Sequence, residues 1–155
     1  MKRIFVLPFV LLATYCGSSP GPASVSRPGH GAITIAVVPN PIVAQKMAGD
    51  MYRFPFDVII RETGGHPVTV TRVSADVRAI AGIKVASESY DAAKINSLGF
   101  STTVGPNHEI HYHFEPEKSV PDDRLFGNVT AELTVDGVDE TGTPATARTT
   151  VTVTR

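Results

Sequence analysis

From Ile33 onward the apolar residues of this chain recur at every second position. Tyr52, Phe54, Phe56, Val58 and Ile60 alternate with Arg53, Pro55, Asp57, Ile59 and Arg61. A period of two puts one set of side chains on each face of an extended backbone, so this is a half-buried strand. Pro55 falls on the outward set, and its missing N–H favours an edge position or a bulge. The same alternation recurs at Ile33, Ile35 and Val37, at Ile110, Tyr112 and Phe114, at Val129, Ala131, Leu133 and Val135, and at Ala147, Thr149, Val151 and Val153. Val68 and Val70 open a further strand. Its apolar set then changes phase to Val73, Ala75, Val77 and Ala79, which predicts a β-bulge near Thr71–Arg72.

Between these runs stand Gly- and Pro-rich turns, T-G-G-H-P and G-V-D-E-T-G-T-P among them. One segment, Y-D-A-A-K-I-N-S-L-G-F, has Asp91 placed as an N-cap, Ile95 and Leu98 three apart, and Gly99 as a stop, which predicts a short helix. A further short strand is expected between Gly82 and Tyr90. About seven strands with regular turns and one short helical crossover make an all-β, antiparallel, immunoglobulin-like β-sandwich. A small sandwich of two packed layers is expected to leave no large pocket between them. The expected core is Phe54, Phe56, Val58, Ile60, Val77, Leu133 and Val151.

The domain resembles the bacterial immunoglobulin-like domains of exported proteins and lipoproteins, which are related in shape to fibronectin type III. The resemblance is carried by E-T-G-G-H-P-V-T-V at 62–70, by the Y-D-A-A-K-I helix, and by V-D-G-V-D-E-T-G-T-P-A at 135–145 before a terminal strand. Gly64, Gly65, Gly137, Asp139, Gly142 and Pro144 match the family's turn positions, and most of residues 32–154 are covered. These motifs are turn chemistry, so what they imply is the fold. The cysteine pair and core tryptophan of antibody domains are missing.

The first residues read as an address. Lys2 and Arg3 precede the apolar run Ile4 to Ala13, which is shorter than the roughly 20 residues of a membrane-spanning helix. The protein's one cysteine, Cys16, follows directly, so no internal disulfide is available. L-L-A-T-Y-C-G-S-S resembles a bacterial lipoprotein signal, in which the cysteine is lipidated and becomes the first mature residue. Two positions depart from that pattern: Tyr15 stands where a small residue is usual, and Ala13 where Leu is usual. The organisation expected is a signal peptide at 1–15, a lipidated Cys16 with a Gly/Ser/Pro tether at 16–31, and the sandwich at 32–155. The chain is then exported and lipid-anchored to the bacterial cell envelope. The competing reading is plain secretion into a soluble or periplasmic pool. With the last strand running to Arg155, no appended domain is expected.

Composition narrows the function. A net charge of −1 without a basic block argues against nucleic-acid binding. No Gly-rich phosphate loop, Gly-x-Ser-x-Gly elbow or His-Glu-x-x-His occurs, and no Ser, His and acid set stands out. The densest cluster of metal-ligating residues is H-E-I-H-Y-H-F-E at 108–115. In a strand, Glu109, His111, His113 and Glu115 share one face, with roughly 7 Å between the two histidine Cα atoms. Those imidazoles could share zinc or copper with a glutamate as third ligand. An ordinary solvent face has the same spacing. Acids at Asp136, Asp139 and Glu140, and at Asp122 and Asp123, invite calcium but lack a spaced ladder of ligands. Met47 and Met51 raise copper without the accompanying histidine motif.

The reading this supports is a non-enzymatic module without a cofactor, expected to be a monomer and tethered to a membrane through lipid. It contacts an unknown envelope protein or serves as a spacer. The expected contacts are Lys118 and Arg124 in an exposed loop over 115–127, and His111 on the outer strand face. The alternative is a metal-binding envelope protein using the His111/His113 face. A third reading, a protease inhibitor, would use the same 115–127 loop.

Overall fold

The computed structural model describes residues 29–79 and 82–155. The expected signal peptide, Cys16 and the tether up to residue 28 lie outside the described residues. Twelve strands run in the order β1 (Ile33–Val38), β2 (Ile42–Val43), β3 (Gln45–Lys46), β4 (Met51–Arg53), β5 (Phe56–Glu62), β6 (Val68–Arg78), β7 (Lys84–Asp91), β8 (Thr103–Val104), β9 (Glu109–Phe114), β10 (Glu117–Ser119), β11 (Val129–Asp139) and β12 (Pro144–Thr154). A helix α1 (Ala92–Ser97) follows β7, and a 3-10 helix spans Asp123–Asn128. Seven strands have six residues or more: β1, β5 and β9 form one sheet, while β12, β11, β6 and β7 form the body of the other. This is the all-β sandwich that the alternation predicts.

Buried residues of both layers form one core. Ile33, Val58, Ile60 and Tyr112 of the three-stranded sheet meet Val70, Val73, Leu133, Val135 and Val151 of the other. The phase change in β6 is a bulge. Arg72 pairs with Asp136 and Val70 with Gly137, which leaves Thr71 as the extra residue, its hydroxyl donating to the Asp136 carbonyl at 3.1 Å. The extra residue returns Val73 to the buried side. Opposite, a Cβ on Gly137 would lie 2.8 Å from Val68 Cγ1 and 2.9 Å from the Thr69 carbonyl oxygen, so only glycine fits where the strands come this close. Helix α1 begins where expected, with Asp91 accepting from the Lys94 N–H at 2.8 Å, and Ile95 is fully buried while Leu98 is exposed.

The structure corrects the sequence reading in three places. Residues 52–60 are not one strand. The chain leaves β4 at Phe54–Pro55 and starts β5 at Phe56, and β4 belongs to a small separate sheet with β3 and β10. A proline without an N–H ends the ladder rather than riding on its edge. Residues 115–127 are not an open loop, because β10 pairs with β4 and the 3-10 helix follows. The strand expected between Gly82 and Tyr90 is eight residues long and forms the free edge of the larger sheet.

Candidate functional site

At the end of the sandwich where β1, β6, β9 and β12 finish and β5, β7 and β11 begin, the two layers do not close on each other. A pocket of about 370 Å³ opens between them, contrary to the expectation of a sealed interior. Its walls include Phe54, Phe56, Val77, Phe114, Phe126 and Leu133. Three residues assigned to the core from the sequence, Phe54, Phe56 and Val77, are in fact only partly buried and form this wall. The rings pack on one another and frame the space: Phe56 and Phe114 lie 5.6 Å apart by centroid, Tyr90 and Phe114 5.4 Å, and Tyr52 and Phe126 5.0 Å edge-on. The small side chains Ala75 and Ala86 leave the room.

Polar groups stand around this apolar interior. Glu88 of β7 and Lys118 of β10 form an ion pair at 2.5 Å, with both side chains about half exposed. The Glu88 hydrogen bond raises the Lys118 ammonium above its ordinary pKa. Ser119 is tied to Asp50. No histidine or cysteine among the described residues lines the pocket. Tyr52 is fully buried beside it and donates to Asp123 Oδ1 at 2.6 Å, and Asp123 also pairs with Lys46 and Arg155. Asp122 caps the 3-10 helix by accepting from the Arg124 N–H at 2.9 Å. Of the residues proposed as contacts, Lys118 lines the pocket and Arg124 sits in the 3-10 helix on the same segment. His111 lies apart, on the outer face of the three-stranded sheet.

That outer face carries the histidines as the alternation predicts: Glu109, His111, His113 and Glu115 are exposed, while Tyr112 and Phe114 are buried. His113 Nδ1 meets Asp57 at 2.7 Å and its Nε2 meets Glu115 at 3.3 Å. His111 Nε2 meets Glu109 at 3.1 Å, and Glu109 also receives Arg61 at 2.6 Å. Asp57, and then Glu115, raise the His113 pKa, whereas the Arg61 guanidinium, and then His111, lower that of Glu109. The two imidazoles are engaged by different carboxylates. Among the described residues no group of three or more His, Cys, Asp or Glu side chains is arranged to hold a metal ion. His108 precedes the strand, is exposed, and bonds the Pro106 carbonyl with its own ring.

The acids considered for calcium do not converge. Asp122 and Asp123 precede β11, whereas Asp136 and Asp139 lie towards its far end. Asp136 pairs with Arg72 at 2.8 Å. Asp139 is buried, and its carboxylate accepts from the Thr141 N–H and hydroxyl and from the Thr143 and Gly31 N–H groups. The Thr141 hydroxyl, together with these backbone donors, outweighs burial and holds its pKa far below the usual range. Glu62 is the matching buried acid. Burial would raise its pKa, but N–H donors from Asn107, Ala32, Gly64 and Gly65 lower it on balance. Both acids bind backbone at the closed pole, where the described chain begins at Gly29. Neither was identified from the sequence in this role. The available signal was an acid in the inward phase of a strand beside a Gly-rich turn.

No family profile matches the sequence, and no curated protein does. Among solved structures, a putative ApaA protein from Bordetella pertussis aligns with a TM-score of 0.58 at 18% identity, over 83% of this chain and 99% of that one. An X-ray structure of a structural genomics target designated SoR45 aligns with a TM-score of 0.56 at 12% identity, over 82% of this chain and 89% of that one. At such identity the likeness is one of fold. It places the chain in the class of small β-sandwich domains and leaves function to the site.

Proposed function

We propose that this chain is a non-enzymatic module of the bacterial cell envelope, tethered to a membrane through lipid on Cys16. On this reading it acts by contact with another envelope protein at its open pole. One observation carries the proposal. Of the large hydrophobic side chains exposed among the described residues, Val38, Val43, Met47, Ile83, Val85 and Leu125 all belong to segments at that pole, and Leu98 alone does not. Single exposed apolar residues are ordinary, but six of them at one pole, with Val85 and Leu125 lining the apolar pocket itself, are the mark of an interaction surface. The open pole lies a full strand length, about 35 Å for the eleven residues of β6, from the pole where Gly29 joins the domain. A chain held through its N-terminus therefore has its apolar pole at the far end from the attachment point.

The pocket's chemistry favours binding over catalysis. A catalytic base or nucleophile must be held close to its partners around a reacting atom. Among the described residues lining the pocket, the charged ones are Glu88 and Lys118, and they are paired with each other. The test is photo-cross-linking in the intact envelope from Leu125, Lys118 and Arg124, with His111 as the comparison. A specific neighbour captured from the pole supports the reading. A reproducible hydrolase or redox activity lost on a point mutation would refute it.

A further inference from the structure

We propose that the open-pole pocket is a binding site for a single-chain amphiphile with a carboxylate head, with the alkyl chain between the layers and the head on Lys118. This goes beyond the contact reading above and requires no protein partner. The size fits an inserted chain. A cavity of about 150 Å³ holds a benzene ring, and this one, at about 370 Å³, has more than twice that volume.

The lining specifies the inserted part. Phe54, Phe56, Phe114, Phe126 and Leu133 offer no donor or acceptor, and no buried side-chain polar atom among the described residues lacks a partner. The hydroxyls of the lining, on Ser74, Tyr90 and Ser119, are too few to satisfy a peptide backbone. A peptide added as a strand is also disfavoured at the adjacent edge. On β7, Val85 is the extra residue of a bulge, since Lys84 pairs with Arg78 and Ala86 with Val77, and Glu88 is a charge on the inward-facing set. Both devices discourage pairing at a sheet edge.

The mouth specifies the head. Among the described residues that line the pocket, Lys118 is the one cation. Its ammonium carries three donors on a flexible four-carbon stem, so it can hold an incoming carboxylate while keeping or releasing Glu88. Arg124, on the same segment, has a side chain 92% exposed and pairs with Asp122 at 3.2 Å. The acids of that segment are occupied: Glu117 by Arg53, Asp122 by the start of the 3-10 helix and the Arg124 guanidinium, and Asp123 by Tyr52, Lys46 and Arg155. A carboxylate head therefore joins or replaces Glu88 on the Lys118 ammonium.

The test is calorimetric titration of the full chain with straight-chain carboxylates of increasing length, with the matching alcohols and alkyltrimethylammonium ions as comparisons. Each buried methylene is expected to tighten binding by about fourfold until the pocket is full, after which affinity levels off. Carboxylates should bind about tenfold more tightly than alcohols, and trimethylammonium ions least. Lys118→Ala should erase the carboxylate preference and leave the alcohols within about twofold. Ala86→Phe, which fills the pocket from its edge strand, should abolish binding by every series, with thermal melting to show the fold intact. Affinity that rises without levelling, or that survives Ala86→Phe, would overturn the proposal. Equal binding of carboxylates and alcohols would overturn the assignment of the head. If no alkyl series binds and a peptide with apolar side chains does, the proposal fails while the contact reading stands. Saturable alkyl binding with no cross-linked neighbour would give the reverse.

Discussion

Two buried carboxylates and one exposed imidazole respond to pH with opposite signs. Glu62 and Asp139 have folded pKa values below their ordinary 4.5 and 3.8. Their contribution is fully present above those values and is lost as pH falls through the lowered ones. We predict that the melting temperature falls on acidification below about pH 4, and that Glu62→Gln weakens this dependence while costing about 2–3 kcal/mol at neutral pH, because an amide nitrogen then faces backbone donors. Denaturant titration at pH 7 and pH 3 measures both; an unchanged acid slope in Glu62→Gln would contradict the assignment. His113 has the opposite sign. Its folded value is raised by Asp57 and Glu115, so its contribution is present below the ordinary 6.5 and lost as pH rises through the folded value. NMR titration should find its midpoint above 6.5, and Asp57→Asn should bring it down. A midpoint at or below 6.5 in the parent would rule out the Asp57 contact in solution.

At the scale of the strand, the test of phase is a pair of neighbours. Ile60 is fully buried, and Arg61 faces solvent in a pair with Glu109. Ile60→Asp buries an unpaired charge and should abolish cooperative folding, whereas Arg61→Asp should cost about 1 kcal/mol or less. Equal costs would mean that the strand is out of register. Gly137→Val should cost about 3 kcal/mol or more through its clash with Val68 and the Thr69 carbonyl. Alternation made these elements legible. It placed the bulge of β6 from Val70 and Val73 alone, because a one-residue phase change has one economical cause. It also placed His111 and His113 outward. It could not say that Phe54, Phe56 and Val77 wall a pocket, because periodicity records which face a side chain takes and not whether the opposite layer reaches it. Nor could it split β4 from β5 at Pro55, where a bulge and a break share one sequence signal. Glu62 was passed over because a carboxylate in an inward position satisfies no hydropathy pattern; the four N–H groups that stabilise it come from three separate segments.

For the whole molecule, the seven long strands make an object with two unlike poles. At one, Asp139 and Glu62 gather backbone donors around the start of the described chain. At the other, the layers part around aromatic side chains, and the exposed apolar residues collect. Small β-sandwiches of known structure share the architecture. On the proposed attachment, Cys16→Ser should move the protein from the membrane to the soluble exported fraction, followed by fractionation and by mass analysis of the mature N-terminus. A wild type that is already soluble, with a mature start other than Cys16, would remove the anchor but not the apolar pole. The most direct measurement of the central claim is photo-cross-linking in the native envelope from Leu125 and Val85 at the open pole, set against Thr63 at the closed pole. The account predicts a specific neighbour from Leu125 and Val85 and none from Thr63. Capture from Thr63 alone, with none from the open pole, would contradict it.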